Sequence, residues 1–340
     1  MATTATARSS ARRTWRQQAL ATRGERLLET PAPLTADASF RRFERVWTDA
    51  GSRVLMDAPP ESEKNREFIA LADWLHRHEL PAARVLESDP DLGFLLVTDL
   101  GDRTLARALE DSDRIGRDAL YRRALDLLVR LQSAALDDPP AVPEYDAEQL
   151  SLENALFGEW YLEGLLGRQP PAVLSRSLDD LTRAHLEAPR ALVHLDWHSR
   201  NLMVAGDGTL AIVDFQDARQ GPAPYDVVSL LRDCYQRHSA EDLASWYNHY
   251  LTRAARAGIP GTDEPFAFRR SFDLVGIQRH LKAIGIFARL HLRDGRDHAL
   301  ADISRVLAHL LDVTPLHDET RALGDWLRRE VVPAEAARRS

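Results

Sequence analysis

The 340-residue sequence predicts an α+β protein of two lobes, a small β-rich one followed by a larger, mostly helical one. Three observations predict it. Strand patterns and turn residues dominate residues 39–98, with one helical stretch among them. A helical period takes over after residue 103, and a single short hairpin pattern interrupts it near residue 205.

In chain order, the first 24 residues carry five arginines and no acid, and read as an N-terminal tail, partly disordered, that leads into a first helix. Strand patterns at 39–48 and 52–57 flank "TDAGS", a turn of Asp, Gly and Ser, which makes a hairpin. Pro59 and Pro60 end its second strand. Within "ESEKNREFIALADWLHRHEL", Phe68, Leu71, Ala72 and Leu75 recur at helical spacing with charges between them. Two more strands are expected at 84–87 and 93–98, on either side of "SDPDLG". Residues 25–98 thus form the small lobe, 99–103 a hinge, and 104–330 the large lobe. Helical patterns in the latter run over 103–111, 115–134, 147–168 and 171–187, with "DDPPAVPEYD" as a connector. "ALVHL" is a short strand, and "AGDG" at 205–208 joins two others. From 224 the chain is helical again, most strongly in "IQRHLKAIGIFARLHL".

Composition narrows the function. A formal net charge of -8 leaves no generally basic surface for nucleic acid. No apolar run reaches 18 residues, so no membrane span is expected, and the N-terminus lacks the apolar segment of a secretory signal. Cys234 is the only cysteine, which excludes an intrachain disulfide and a cysteine-rich zinc site. A cytoplasmic protein acting on a small molecule, with no obligate protein partner, is the expectation.

The chemistry concentrates in residues 192–218, "LVHLDWHSRNLMVAGDGTLAIVDFQDA". Asp196 falls at the end of a strand, Asn201 follows five residues later, and Asp214 lies beyond the "AGDG" turn. That is the D-x-x-x-x-N spacing of phosphoryl-transfer loops, followed by a second aspartate. Such a reaction needs a carboxylate to take the proton of the attacking hydroxyl, and hard oxygen ligands to hold Mg²⁺ against phosphates. Asp196 is the candidate base, Asn201 and Asp214 the candidate metal ligands, with ATP as donor. An isolated D-x-x-x-x-N is usually turn chemistry. Strand, loop, hairpin and Asp-Phe in this order, after a β-rich lobe, are what raise it above that. His194 reads as a structural histidine of the loop, and Asp226 either caps the next helix or braces the loop.

At these residues the chain resembles a known family. "HLDWHSRN" and "IVDFQDARQGPAPYDVVSLLRD" are similar to the aminoglycoside phosphotransferase-like enzymes, whose fold is that of protein kinases. More narrowly, "DASFRRFERV", "MDAPPE", "GFLLVTDLGD", "HSRNLM" and "GIQRHLKAIGIFARL" resemble the anomeric kinases of N-acetylmuramate and N-acetylglucosamine, over about residues 25–330. The resemblance implies a protein-kinase-like fold, Mg-ATP, and synthesis of sugar 1-phosphates in peptidoglycan recycling. It leaves open which of the two sugars is preferred.

Two departures bear on the nucleotide. The wider family carries a phosphate-touching lysine on the second hairpin strand, where this chain has Met56 and Asp57; the narrower family shares "MDAPP". Arg41, Arg42, Arg53 and Lys64 are the candidates to neutralise the phosphates in its place. No Gly-rich loop is present, so Ser39 and Phe40 of "DASF" would cover the phosphates, and the backbone of Asp99, Leu100 and Gly101 would pair with adenine. His198, Asp217, Arg232, Gln278, Arg279 and Lys282 are candidate sugar contacts, and the basic ones among them suit a lactyl carboxylate. Rival readings are the same fold acting on another alcohol, such as an aminoglycoside or choline, and a catalytically silent nucleotide-binding regulatory module.

Overall fold

The computed structural model describes residues 2–34 and 41–339; Ser39 and Phe40 lie outside the described residues. The chain divides into two compact units, Met1–Asp111 with Arg200–Asp217, and Ser112–Ser199 with Ala218–Ser340.

The first unit begins with helix α1 (Ala2–Thr22), where the sequence suggested a tail. Arg8, Arg12 and Arg16 are four residues apart, so they share one helix face. Arg8 and Arg12 pair with Asp57, and Arg12 and Arg16 with Glu44. Ala19 and Leu20 are buried against Val46, Leu55 and Leu96, with Trp15 packed beside them. The five arginines of this stretch therefore belong largely to a docking face.

Strands β1 (Ala32–Leu34), β2 (Arg42–Thr48) and β3 (Gly51–Asp57) are followed by α2 (Asn65–Arg77), β4 (Val85–Asp89) and β5 (Phe94–Thr98). The sheet is antiparallel in the order β1-β2-β3-β5-β4. Gly51 closes the β2–β3 hairpin opposite Thr48 at φ 108, a conformation open mainly to glycine. Gly93, at φ +74, has no room for a side chain, since a Cβ would lie 2.0 Å from the Ala58 carbonyl oxygen. Helix α3 (Leu105–Glu110) ends this stretch, its N-terminus capped by Thr104.

In the second unit come α4 (Arg114–Asp137), α5 (Ala147–Leu156) with its π-helical continuation Phe157–Leu165, α6 (Ala172–Glu187) and β6 (Arg190–Val193). The chain then returns to the first unit for the hairpin β7 (Leu202–Val204) and β8 (Leu210–Ile212). That hairpin is tied there by non-local backbone bonds: Ile212 N–H donates to the Pro81 carbonyl at 2.7 Å, and Val204 N–H to that of Arg103 at 2.7 Å. Back in the second unit, β9 (Arg219–Pro222) pairs with β6. Helices α7 (Tyr225–Leu231), α8 (Ala240–Arg256), α9 (Pro265–Asp294), α10 (Ile303–Val313), α11 (Asp318–Trp326) and α12 (Val332–Arg339) complete the chain.

Helix α9 runs through the centre of the second unit. Leu274, Ile277, Leu281, Ile284 and Phe287 pack with Phe157, Tyr161, Leu181, Val306 and Leu310, each large apolar side chain contributing about 1.5–3 kcal/mol by burial. Close approach to α5 depends on Gly285, where a Cβ would lie 2.4 Å from the Leu156 backbone. Gln278 and Arg279 of this helix are buried and Lys282 nearly so, an unusual polar content for a central helix. No helix among the described residues is long and apolar enough to cross a membrane.

Candidate active site

Asp196 belongs to the second unit, three residues beyond β6, and its side chain is exposed. The backbone leading to it is fixed with care. Leu195 sits at φ 75, a left-handed conformation that costs a branched residue about 1–3 kcal/mol. The fully buried carboxylate of Asp226 accepts the N–H groups of His194 at 2.6 Å and Leu195 at 3.0 Å. Of the two roles open to Asp226, the structure gives the brace: Pro224 stands at the N-cap of α7, without a side-chain cap. Burial raises the Asp226 carboxyl to about 6, and the Asp196 charge adds to that push, against the His194 ring and the two N–H donors. His194 is buried, and its Nδ1 accepts the Asp196 N–H at 3.3 Å, in keeping with a structural histidine. At the far end of the loop, Asp233 accepts both the N–H (3.1 Å) and the hydroxyl (2.6 Å) of Ser199. Two buried carboxylates thus hold the segment that displays Asp196.

Behind this loop lies a polar cluster within the second unit. Lys282 Nζ pairs with Glu153 at 2.9 Å and donates to the Tyr225 hydroxyl at 3.3 Å, while the Tyr145 hydroxyl also donates to Glu153. Burial lowers the Lys282 pKa, and Tyr225, Glu153 and Asp196 more than reverse it, so the ammonium stays charged. Arg279 shifts the same way: burial opposes its charge, and the carboxylates of Asp196 and Asp233 are among the groups that restore it. Both cations therefore feel Asp196. Arg232, by contrast, is taken up by a buried pair with Asp273 at 2.6 Å and lies over the Phe272 ring. Gln278 is fully buried and donates to Asn154 Oδ1 at 3.1 Å, and the His198 N–H donates to the Asp196 carbonyl at 2.9 Å. Glu153 and Asp233 were not singled out by the sequence. An acid inside an apolar helical stretch, as in "SLENALF", was the available signal.

Asn201 and Asp214 belong to the first unit, just outside the ends of β7 and β8. The Val213 N–H donates to the Asn201 carbonyl at 3.4 Å, so the hairpin brings the two residues to neighbouring rungs. Asp214 has φ 63, and its carboxylate pairs with Arg41 and accepts from Gln216 Nε2 at 3.1 Å. Arg41 also reaches Glu63 at 3.3 Å and Gln216 at 3.1 Å. No group of three or more His, Cys, Asp or Glu that could cage a metal occurs among the described residues. Mg²⁺ held with a triphosphate asks for less, one or two carboxylates with further oxygen donors, and a carboxylate beside an amide oxygen fits that set.

Asp217 pairs with Lys64 at 2.6 Å. Arg42 is exposed on β2. Arg53 is bound at the hairpin end, to Glu25 at 3.1 Å and to the Ser52 and Ala50 carbonyls. Asp99 binds Arg45 at 2.6 Å and accepts the Gly101 N–H at 2.9 Å; burial opposes its charge, but these bonds hold its carboxyl below the usual range. Leu100 lies between them in the chain.

A model of the phosphotransferase enzyme family matches residues 30–264. An N-acetylmuramate/N-acetylglucosamine kinase of Pseudomonas aeruginosa is 38% identical, over 89% of this chain and 89% of that one. One of the same name from Pseudomonas putida is 39% identical over 88% and 89%. Among solved structures, a Plasmodium vivax ethanolamine kinase superposes with a TM-score of 0.61 at 12% identity, covering 86% of this chain and 84% of that one. A choline kinase from Streptococcus pneumoniae does so at 0.58 and 12%, covering 88% and 98%. The fold is therefore that of phosphoryl-transferring enzymes. The chain belongs to the phosphotransferase enzyme family.

Proposed function

We propose that this enzyme transfers the γ-phosphoryl group of ATP to the anomeric hydroxyl of N-acetylmuramate, N-acetylglucosamine or both, in the cytoplasm, as a step of peptidoglycan recycling. The exposed Asp196 carboxylate on its doubly braced loop carries the reading. Substrate class rests on likeness to kinases named for these sugars over 89% of the chain.

Asp196 is the base. As the anomeric oxygen attacks the γ-phosphorus, its proton passes to the Asp196 carboxylate; an O–P bond forms, the bond to the β–γ bridging oxygen breaks, and ADP leaves with that electron pair. An anomeric hydroxyl is more acidic than an ordinary sugar alcohol, so a carboxylate base is well matched to it. Asn201 and Asp214 would hold Mg²⁺, which supplies positive charge to the phosphates when bound. The backbone of Asp99 to Gly101 serves adenine. His198, Arg279 and Lys282 face the sugar. Asp217, Arg232 and Gln278, which pair with Lys64, Asp273 and Asn154, complete the candidate sugar contacts.

Arg41 takes over the part of the absent lysine. It is the candidate cation that touches the proposed metal ligand, whereas Arg53 is committed to the hairpin end and Lys64 to Asp217. Arg41→Ala is expected to raise the KM for ATP by roughly ten-fold or more, since a charge-assisted bond to phosphate is lost. Arg53→Ala should stay within about two-fold, because its bonds are structural. Equal effects of the two changes on KM would remove the assignment.

The reaction is tested by phosphate incorporation from ATP with five acceptors: N-acetylglucosamine, N-acetylmuramate, the methyl glycoside of N-acetylglucosamine, kanamycin and choline. Turnover of a free amino sugar, and none of the methyl glycoside, is expected. Phosphorylation of the methyl glycoside, or of kanamycin or choline but of neither sugar, would overturn the anomeric assignment.

A further inference from the structure

Arg279 is only 6% exposed, yet it makes no ion pair with an acid among the described residues. Among the described residues its guanidinium makes one side-chain hydrogen bond, to Cys234 Sγ at 3.5 Å. That thiol is a poor counter-ion, because burial pushes it further toward the neutral form. Comparable cations nearby are matched: Arg232 has Asp273 at 2.6 Å, and Lys282, one helical turn along, has Glu153 at 2.9 Å. Asp233 is engaged by Ser199 and by the Tyr235 N–H at 2.9 Å. Asp196 and Asp233 favour the Arg279 charge from a distance, but among the described residues neither makes an ion pair with it, and a buried cation without a contacting anion is costly.

The guanidinium is also not sealed in. Arg232 Nη1, Arg289 Nε and Gln278 Oε1 are closed off without a partner, while no nitrogen of Arg279 is among such atoms. A planar fork with donors to spare, on the helix whose Val275 shares a buried cluster with Leu195 of the Asp196 loop, is a receptor for a carboxylate.

We infer that Arg279 receives the lactyl carboxylate of N-acetylmuramate and so sets the preference between the two amino sugars. The inference rests on the amino-sugar reading above. N-Acetylglucosamine lacks the lactyl group and makes no use of this charge. A phosphoryl oxygen at the same place would serve both sugars alike, and the two cases are separable.

The measurement is kcat/KM for N-acetylmuramate, its methyl ester and N-acetylglucosamine, with wild type, Arg279→Met and Arg279→Lys, alongside thermal melting. Arg279→Met is expected to lower the ratio of N-acetylmuramate to N-acetylglucosamine efficiency by roughly ten-fold or more, with Arg279→Lys between the two. With wild type, the uncharged methyl ester should fall behind the acid by a similar factor, a comparison that needs no variant to fold. Wild type using the ester as well as the acid, or acting on N-acetylglucosamine alone, overturns the inference. So does a common fall for both sugars in Arg279→Met at an unchanged ratio, which leaves the amino-sugar reading standing. Wild type acting on neither sugar overturns that reading and the inference with it.

Discussion

Asp196→Asn is expected to lower kcat by roughly 10²–10⁴-fold while leaving the KM for ATP within about three-fold of wild type. The two side chains are nearly isosteric, so the loss isolates the proton-accepting oxygen. The two braces of the loop stay, since Asp226 still accepts the His194 and Leu195 N–H groups and Asp233 still holds Ser199. The melting temperature should therefore change little. Steady-state kinetics with free N-acetylglucosamine and varied ATP give both parameters. A variant retaining more than about a third of the wild-type kcat lies far outside what loss of a positioned base allows, and would move the base elsewhere.

Asp214→Asn should act on the other parameter. Its side chain would lose the charge that attracts Mg²⁺ while keeping an oxygen in place, and Arg41 would lose one of its two ion-pair partners at the same time. Even residues one shell removed from a metal cost roughly 10–100-fold in affinity when changed. The Mg²⁺ concentration for half-maximal activity is therefore expected to rise by about ten-fold or more, with the KM for Mg-ATP rising in parallel. Titration of Mg²⁺ at fixed ATP distinguishes the two aspartates, because Asp196→Asn should leave the midpoint in place. An unchanged Mg²⁺ dependence in Asp214→Asn would exclude it from the metal site.

Local patterns were legible in the sequence. "TDAGS" announces β2–β3 because the turn residues and both strands lie within twenty residues, and Asp196, Asn201 and Asp214 stand out once their spacing is read with the strand, loop and hairpin around them. Helix α1 was not legible as a packed element. Its apolar stripe is only Trp15, Ala19 and Leu20, and the acids that anchor its arginines, Glu44 and Asp57, come dozens of residues later. Arg232 reads as an available cation until Asp273, 41 residues on, is seen to hold it. Sequence continuity likewise assigns β7–β8 to the helical lobe, whereas the bonds to Pro81 and Arg103 tie that hairpin to the sheet-bearing unit.

That last arrangement fixes an order of assembly. During synthesis the five strands of the sheet emerge early, but β7–β8 cannot join their unit until the whole of Ser112–Ser199 has been made. Closing so long a loop is slow but not prohibitive, because its entropy cost grows only with the logarithm of length. A nascent chain stopped at Asp111 would hold the sheet and α1 without Asn201 or Asp214. Evolution cannot therefore lend the sheet-bearing unit out as a cassette: the segment that finishes it is encoded after Ser199 of the other unit, and the two are inherited and made together.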